Sequence, residues 1–113
     1  MTSMKNMVHL IGFLGDDPSV TKYENGKSRA SFRVATTERM RNANGEAFED
    51  TQWHSIVVWG GTADVAEKYL KKGKEVGILG RLVHKTYDDK EGNKKYVTEI
   101  SVNSLELLGK KSD

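Results

Sequence analysis

Cysteine is absent from the 113-residue chain. That excludes disulfide frameworks, cysteine nucleophiles, cysteine-ligated zinc and iron–sulfur clusters, and it fits a reducing, cytoplasmic setting. Long apolar runs are missing too. The longest candidate, Met7 to Leu14, is interrupted by His9 and Gly12 and falls short of the roughly 20 residues a membrane helix needs. It runs into Asp16-Asp17-Pro18 with no small-residue cleavage site, so neither a membrane partner nor a signal peptide is expected. A large excess of one charge is also lacking: 18 Lys and Arg against 16 Asp and Glu leave a net charge of +2. That is too mild to announce nucleic acid by itself, so any electrostatic argument must come from where the charges sit. His9, His54 and His84 have no metal-ligand spacing, and neither a metal nor a cofactor is expected. There is no nucleophile elbow, no P-loop and no dinucleotide fingerprint. The paired acids Asp16-Asp17 and Asp88-Asp89 sit in turns, where adjacent side chains point apart. They read as turn formers rather than an acid/base pair, and no catalysis is expected.

What remains is alternation. A chain of this length is one domain with one core, and period-2 patterning dominates it. Met4 to Leu14 reads as a first strand, with Met7, His9, Ile11 and Phe13 on one face and Val8, Leu10 and Leu14 on the other. Gly12 inside it predicts a bulge or a sharp coil. Val20 to Tyr23 is a short strand followed by Asn25-Gly26, a hairpin signal. Ser28 to Thr37 turns Ala30, Phe32 and Val34 inward and Arg29, Ser31 and Arg33 outward. Arg39 to Asp50, polar and carrying a second Asn-Gly at Asn44-Gly45, reads as a long mobile hairpin arm. Thr51 to Trp59 puts Trp53, Ser55, Val57 and Trp59 on one face and His54, Ile56 and Val58 on the other.

Thr62 to Lys72 is the one convincing helix, with Thr62 as N-cap, Asp64 in the first turn and an apolar stripe of Ala63, Ala66 and Leu70. Gly73 is placed to end it in the left-handed region. Lys74 to Tyr87, with Gly77 and Gly80, and Tyr96 to Leu108 are the last strands, joined by the polar tip Asp88 to Lys95. With Val20–Tyr23 merged into the first strand, the order is five curved strands with one helix between strands 3 and 4. That mainly-β order is the order of a five-stranded OB-fold Greek-key barrel. The barrel is expected over residues 1–108, followed by a short polar end, 109–113.

At these residues the chain resembles a known family. Leu10-Ile-Gly-Phe-Leu-Gly-Asp-Asp-Pro18, Asn25-Gly26, Val34-Ala-Thr36 and Thr51-Gln-Trp-His54 are similar to bacterial single-stranded DNA-binding proteins. So are Ala63-Asp-Val-Ala-Glu-Lys-Tyr-Leu-Lys-Lys-Gly73, Gly80-Arg-Leu82 and Tyr96-Val-Thr-Glu99. Each motif is weak alone; their order and spacing from about Lys5 to Leu108 are specific. The resemblance implies an OB-fold that coats single-stranded DNA in replication, recombination and repair, without catalysis, as a homotetramer near the nucleoid. It places base stacking at Met40, Trp53, Trp59 and Tyr87, and puts His54 near a subunit interface. Met40 departs from the pattern: a thioether lacks the stacking area of a ring, so that site is expected to be weakened. Gly60-Gly61 stands where the family usually has a basic residue. The family commonly ends in a flexible linker and an acidic tip that recruits replication and repair enzymes, whereas this sequence ends Gly109-Lys-Lys-Ser-Asp113. Such protein partners are therefore left open.

The residues support a physical reading beside the resemblance. Every base has a π-face, and stacking on an aromatic contributes ~1–3 kcal/mol per base whatever the sequence. Trp53 and Trp59 share a strand face, roughly 20 Å apart at the rise of an extended strand. The competing reading makes both core residues, and Val57 between them favours it. Tyr87 has Lys85 two positions earlier on its own face, which suits a base beside a phosphate. Tyr23, Tyr69 and Tyr96 read as structural or interface residues. Arg29, Arg33, Arg39, Arg41, Lys71, Lys72, Arg81 and Lys85 form the candidate phosphate set, each true contact displacing about 0.7 counterions from a single strand. A second functional class stays open: an OB-fold adapter of the replication or primosome machinery that binds single strands weakly.

Overall fold

The computed structural model describes residues 3–109; Lys110 to Asp113, most of the expected polar end, lie outside the described residues. Its elements are β1 Val8–Leu14, β2 Ser19–Lys22, β3 Ser28–Arg41, β4 Ala47–Trp59, α1 Gly61–Tyr69, β5 Glu75–Asp88 and β6 Lys94–Leu107. The strands form one sheet in the order β1-β5-β6-β4-β3-β2, and β1 also pairs with β3, which closes the ring. β4 occupies one edge of β3 along its whole length. On the other edge β2 pairs with Ser28 to Ser31 and β1 with Val34 and Ala35. β1 and β2 therefore behave as one strand broken at Asp16-Asp17-Pro18, and the barrel has five strands. The helix falls between the third and fourth of them, as in an OB-fold.

Closure requires two backbones to approach closely, and glycine permits it. A Cβ on Gly12 would overlap the Ala35 carbonyl oxygen. The register of β1 shows no bulge there, so Gly12 serves closure. The bulge lies between β5 and β6 at Leu79/Gly80, where a Cβ on Gly80 would overlap the Ser101 carbonyl. Gly80 pairs with Val102 and Leu79 with Ser104, so Asn103 is the extra residue on β6. The inserted residue flips the pleat: Ile100 and Val102 face the core before it and Leu105 after it.

The core joins Leu14, Ala30, Phe32, Val34, Ile56, Val58, Val76, Ile78 and Ile100 of the barrel to Ala63, Ala66 and Leu70 of the helical segment. Alternation in β1, β3 and β4 places the apolar residues as their spacing predicts. The helix ends differ from expectation. Gly60, not Thr62, is the N-cap, at φ 64°, and no side chain caps the helix. The cause is tertiary: the Gly60 N–H donates to the Ser28 carbonyl at 2.9 Å, turning the chain sharply after β4. At the other end Leu70 is already extended, so Lys71 and Lys72 follow the helix instead of forming its last turn. Gly73 does adopt positive φ, but in the turn after the helix, where its N–H donates to the Leu14 carbonyl.

The Arg39–Asp50 segment is the hairpin arm that its Asn44-Gly45 pair signals. Pairing continues without a break to Arg41↔Ala47. Between Thr36 and Ser55 the two strands have only each other as neighbours among the described pairings, so this part stands out from the barrel as a free ribbon. No helix among the described residues is long and apolar enough to cross a membrane.

Candidate nucleic-acid interface

One outer face of the barrel collects the candidate residues, and strand register explains how. On β4 the outward row is Trp53, Ser55, Val57 and Trp59; opposite them on β3 stand Ala35, Arg33, Ser31 and Arg29. On the far side of β4, Val57 pairs with Ser101 of β6, and Ser101 with Arg81 of β5. Val83, Lys85 and Tyr87 continue the β5 row. Trp53, Trp59 and Tyr87 are 55%, 45% and 57% exposed. They are therefore not core residues. Val57 is buried at 3% as the floor of two shallow grooves. One, of about 340 Å³, is bordered by Arg29, Arg33, Ser55 and Glu99. The other, of about 110 Å³, is bordered by Trp59, Arg81, Lys85 and Glu99.

Each tryptophan has a cation on it. The Arg33 guanidinium lies 5.2 Å from the Trp53 ring centre and that of Arg29 5.7 Å from Trp59, contacts worth about 0.5–1 kcal/mol at exposed sites. Asp16 orients Arg33: its carboxylate accepts from the Arg33 backbone N–H at 3.1 Å and from Nε at 3.0 Å. Partial burial pushes the Asp16 carboxyl up. The two bonds from Arg33, with the charges of Arg33 and Lys72, outweigh that and hold it below the usual aspartate range. Gly15 packs against Trp53 so closely that a Cβ would overlap Cζ3 of the ring. Trp59 carries a second ring: Tyr23 stacks on it with centroids 6.2 Å apart and planes 19° apart.

An acid stands at the centre of the face. Glu99 reaches Arg29 Nη2 at 3.5 Å and Lys85 Nζ at 3.2 Å, with its own side chain only 14% exposed. It holds the two cations on either side of the groove floor and leaves that trio a net charge of +1.

The remaining candidates are more dispersed. Arg81 borders the smaller groove. Arg39 stands opposite Glu49 on the arm, and Arg41 donates from Nη1 to the Gly45 carbonyl at 2.8 Å, tying it to the arm's tip. Lys71 and Lys72 sit in the turn after α1, the Lys72 N–H donating to Asp17 Oδ1 at 2.8 Å, and neither borders either of these two grooves. Met40 is on the opposite face of the β3–β4 ladder from Arg39 and Arg41, directly across from Phe48. His54 lies on the face opposite Trp53, half-buried, with Nε2 2.9 Å from Thr36 Oγ1. Among the described residues no cluster of metal-ligating side chains forms. Sequence reasoning read Tyr23 as a structural or interface residue, and did not single out Glu99 or the Phe48 that faces Met40. A signal existed for Phe48: it and Met40 are equally far from Asn44 at the hairpin tip.

Fold and face together define an OB-fold barrel with exposed rings interleaved with cations, the arrangement used to hold single strands. Residues 5–108 match the model of the single-strand binding protein family, and the chain belongs to that family. It is 46% identical over 107 residues to Single-stranded DNA-binding protein 1 of Chlorobaculum tepidum, covering 94% of this chain and 66% of that one. To the proteins of the same name from Xylella fastidiosa and Clostridium acetobutylicum it is 39% and 38% identical over 109 residues, covering 80% and 97% of their lengths. Among solved structures, a Plasmodium falciparum SSB in complex with ssDNA superposes with a TM-score of 0.87 at 32% identity, over 96% of this chain and 98% of that one. A deletion mutant of the Thermus aquaticus single-stranded DNA binding protein, at 24% identity and a TM-score of 0.81, covers 92% of this chain and 50% of that one and shows the same fold.

Proposed function

We propose that this chain binds and coats single-stranded DNA, with little regard to sequence and without catalysis, in replication, recombination and repair near the nucleoid. The observation that carries the reading is the exposed row of Trp53, Trp59 and Tyr87 on one face with Arg29, Arg33, Arg81 and Lys85 among them. Family membership and the likeness to an SSB solved with ssDNA support it. Bases stack on the rings while the cations neutralise phosphates. Val57 gives the groove an apolar floor for sugar or base. Arg39 and Arg41 continue the Arg29–Arg33 row of β3 out along the arm, and Lys71 and Lys72 lie in the turn after α1; these four act on a strand that extends beyond the barrel.

The chain works as a homotetramer in this reading. On β1 the edge from Val8 to Gly12 facing away from β5 has no described partner strand, and an open edge invites another chain. Beside it Met7, Ile11 and Phe13 are 48%, 53% and 53% exposed, with a groove of about 400 Å³ between Ile11, Leu79 and Leu108. His54 belongs to a subunit interface in the same reading, a role that the family resemblance suggests. Sedimentation is expected to give one species of four chains, and a monomer at micromolar concentration refutes the assembly.

Trp53→Ala tests the binding face. Loss of one stacked base, ~1–3 kcal/mol, lowers affinity for oligothymidine about 5- to 150-fold. A change of less than twofold rules out Trp53 as a stacking surface. Tight capture of a replication enzyme by a chain that binds oligothymidine only weakly favours the adapter instead.

A further inference from the structure

The stacking position that falls on Met40 lacks a ring, yet the arm that carries it does not. Register places Phe48 directly across the ladder from Met40. Facing residues of an antiparallel pair have Cβ atoms about 4.5–5.5 Å apart and project from the same face. The Phe48 ring thus emerges within one ring's width of the place where an aromatic at position 40 would stand. It is 46% exposed, and Met40 beside it is 42% exposed. The arm lies beyond the barrel, so the ring has no core to fill. The ring pair found among the described residues is Tyr23 with Trp59, so Phe48 keeps its faces free of other rings. The Met40 thioether is placed to pack on the ring and hold its orientation, a favourable sulfur–aromatic contact. Arg39 and Arg41 sit on the ladder's other face. A free two-stranded ribbon twists strongly, so residues on both faces of its tip can reach one wrapped strand.

We propose that Phe48 is the arm's base-stacking surface, with Met40 as the residue that positions it. The stacking site has moved across the hairpin rather than been lost. This rests on the single-strand reading above and deepens it.

The test uses the full chain and oligothymidines long enough to reach the arm. Phe48→Leu keeps an apolar cross-strand partner and removes the π-face. It is expected to weaken binding about five- to tenfold, the lower end of the stacking range, with the melting temperature little changed. Phe48→Trp is expected to match or exceed the original affinity, and Met40→Ala, which removes the side chain that holds the ring, to weaken binding about two- to tenfold when Phe48 is present and not at all in a Phe48→Leu background. With Trp53→Phe and Trp59→Phe already in place, Phe48→Trp supplies the sole indole, and its fluorescence is expected to quench on adding oligothymidine. If Trp53→Ala weakens binding while Phe48→Leu stays within twofold, or the indole at position 48 is not quenched, this inference is overturned and the binding face stands. If neither Trp53→Ala nor Phe48→Leu changes affinity, the single-strand reading itself fails.

Discussion

Replacing Gly15 and Gly12 by alanine, one at a time, separates the binding face from the scaffold beneath it. At both positions the added Cβ meets an atom it overlaps outright, but the two atoms differ in freedom. At Gly15 the obstacle is the outer end of the Trp53 ring, whose Cη2 would also lie 2.9 Å away. Carbon atoms settle at about 3.5–4.0 Å, so the ring must swing away by roughly 1 Å or more. With Trp53 55% exposed, it has room to do so. The folded state then loses little beyond the Arg33–Trp53 contact, about 0.5–1 kcal/mol. The stacking surface, however, leaves its place, and affinity for oligothymidine falls toward that of Trp53→Ala, about 5- to 150-fold. At Gly12 the obstacle is the Ala35 carbonyl, with Val34 Cγ1 at 2.8 Å. Neither can move without opening the β1–β3 closure. The cost is overpacking of about 1–3 kcal/mol or more, or roughly 4–8 °C in Tm for each kcal/mol in a domain near this size. Thermal unfolding and an oligothymidine titration on both variants make the comparison. The reasoning is refuted if Gly15→Ala unfolds as early as Gly12→Ala, or if it binds as tightly as the unaltered chain while Trp53→Ala does not.

Two further perturbations follow from the charges. Glu99→Gln frees Arg29 and Lys85 from the acid they share. Binding at low salt is expected to tighten, and the slope of log affinity against log salt to steepen by about 0.7 for each cation released to a phosphate; an unchanged slope shows that neither cation faces the strand. Asp16 has its pKa lowered in the folded chain from the usual 3.8, so the stability it contributes is present above that value and is lost as pH falls through the folded pKa. Its side chain is 43% exposed, which discounts the contribution to under about 1 kcal/mol. Asp16→Asn is therefore expected to lower Tm by a few degrees at pH 7, with the gap closing below pH 4; a gap that widens on acidification contradicts the sign.

Much of the barrel is legible because alternation is a local signal. The inward faces of β1, β3 and β4 follow from residue spacing alone, and so does the shared face of Trp53 and Trp59. What depends on distant partners is not legible. The helix starts at Gly61 because the Ser28 carbonyl takes the Gly60 N–H, and no local capping pattern encodes that. The bulge at Asn103 moves the core face of β6 from Ile100 to Leu105 parity with no glycine on β6 itself; the mark is Gly80 on the partner strand. Val57 reads as evidence for buried tryptophans, whereas it forms a floor between exposed ones. Tyr23 meets Trp59, and Glu99 reaches Arg29, only through sheet register. On the arm, the Asn44-Gly45 pair marks the hairpin, but only the residue-by-residue register about Asn44 brings Met40 and Phe48 face to face.

The most direct measurement is a titration of intrinsic tryptophan fluorescence with poly-thymidine, first at low and then at high salt. The expected result is strong quenching that saturates at a fixed ratio of nucleotide to protein, with a part that survives high salt because stacking, unlike phosphate contact, is not screened. No quenching at either salt would mean that Trp53 and Trp59 do not meet bases, and would contradict the claim that this face holds the single strand.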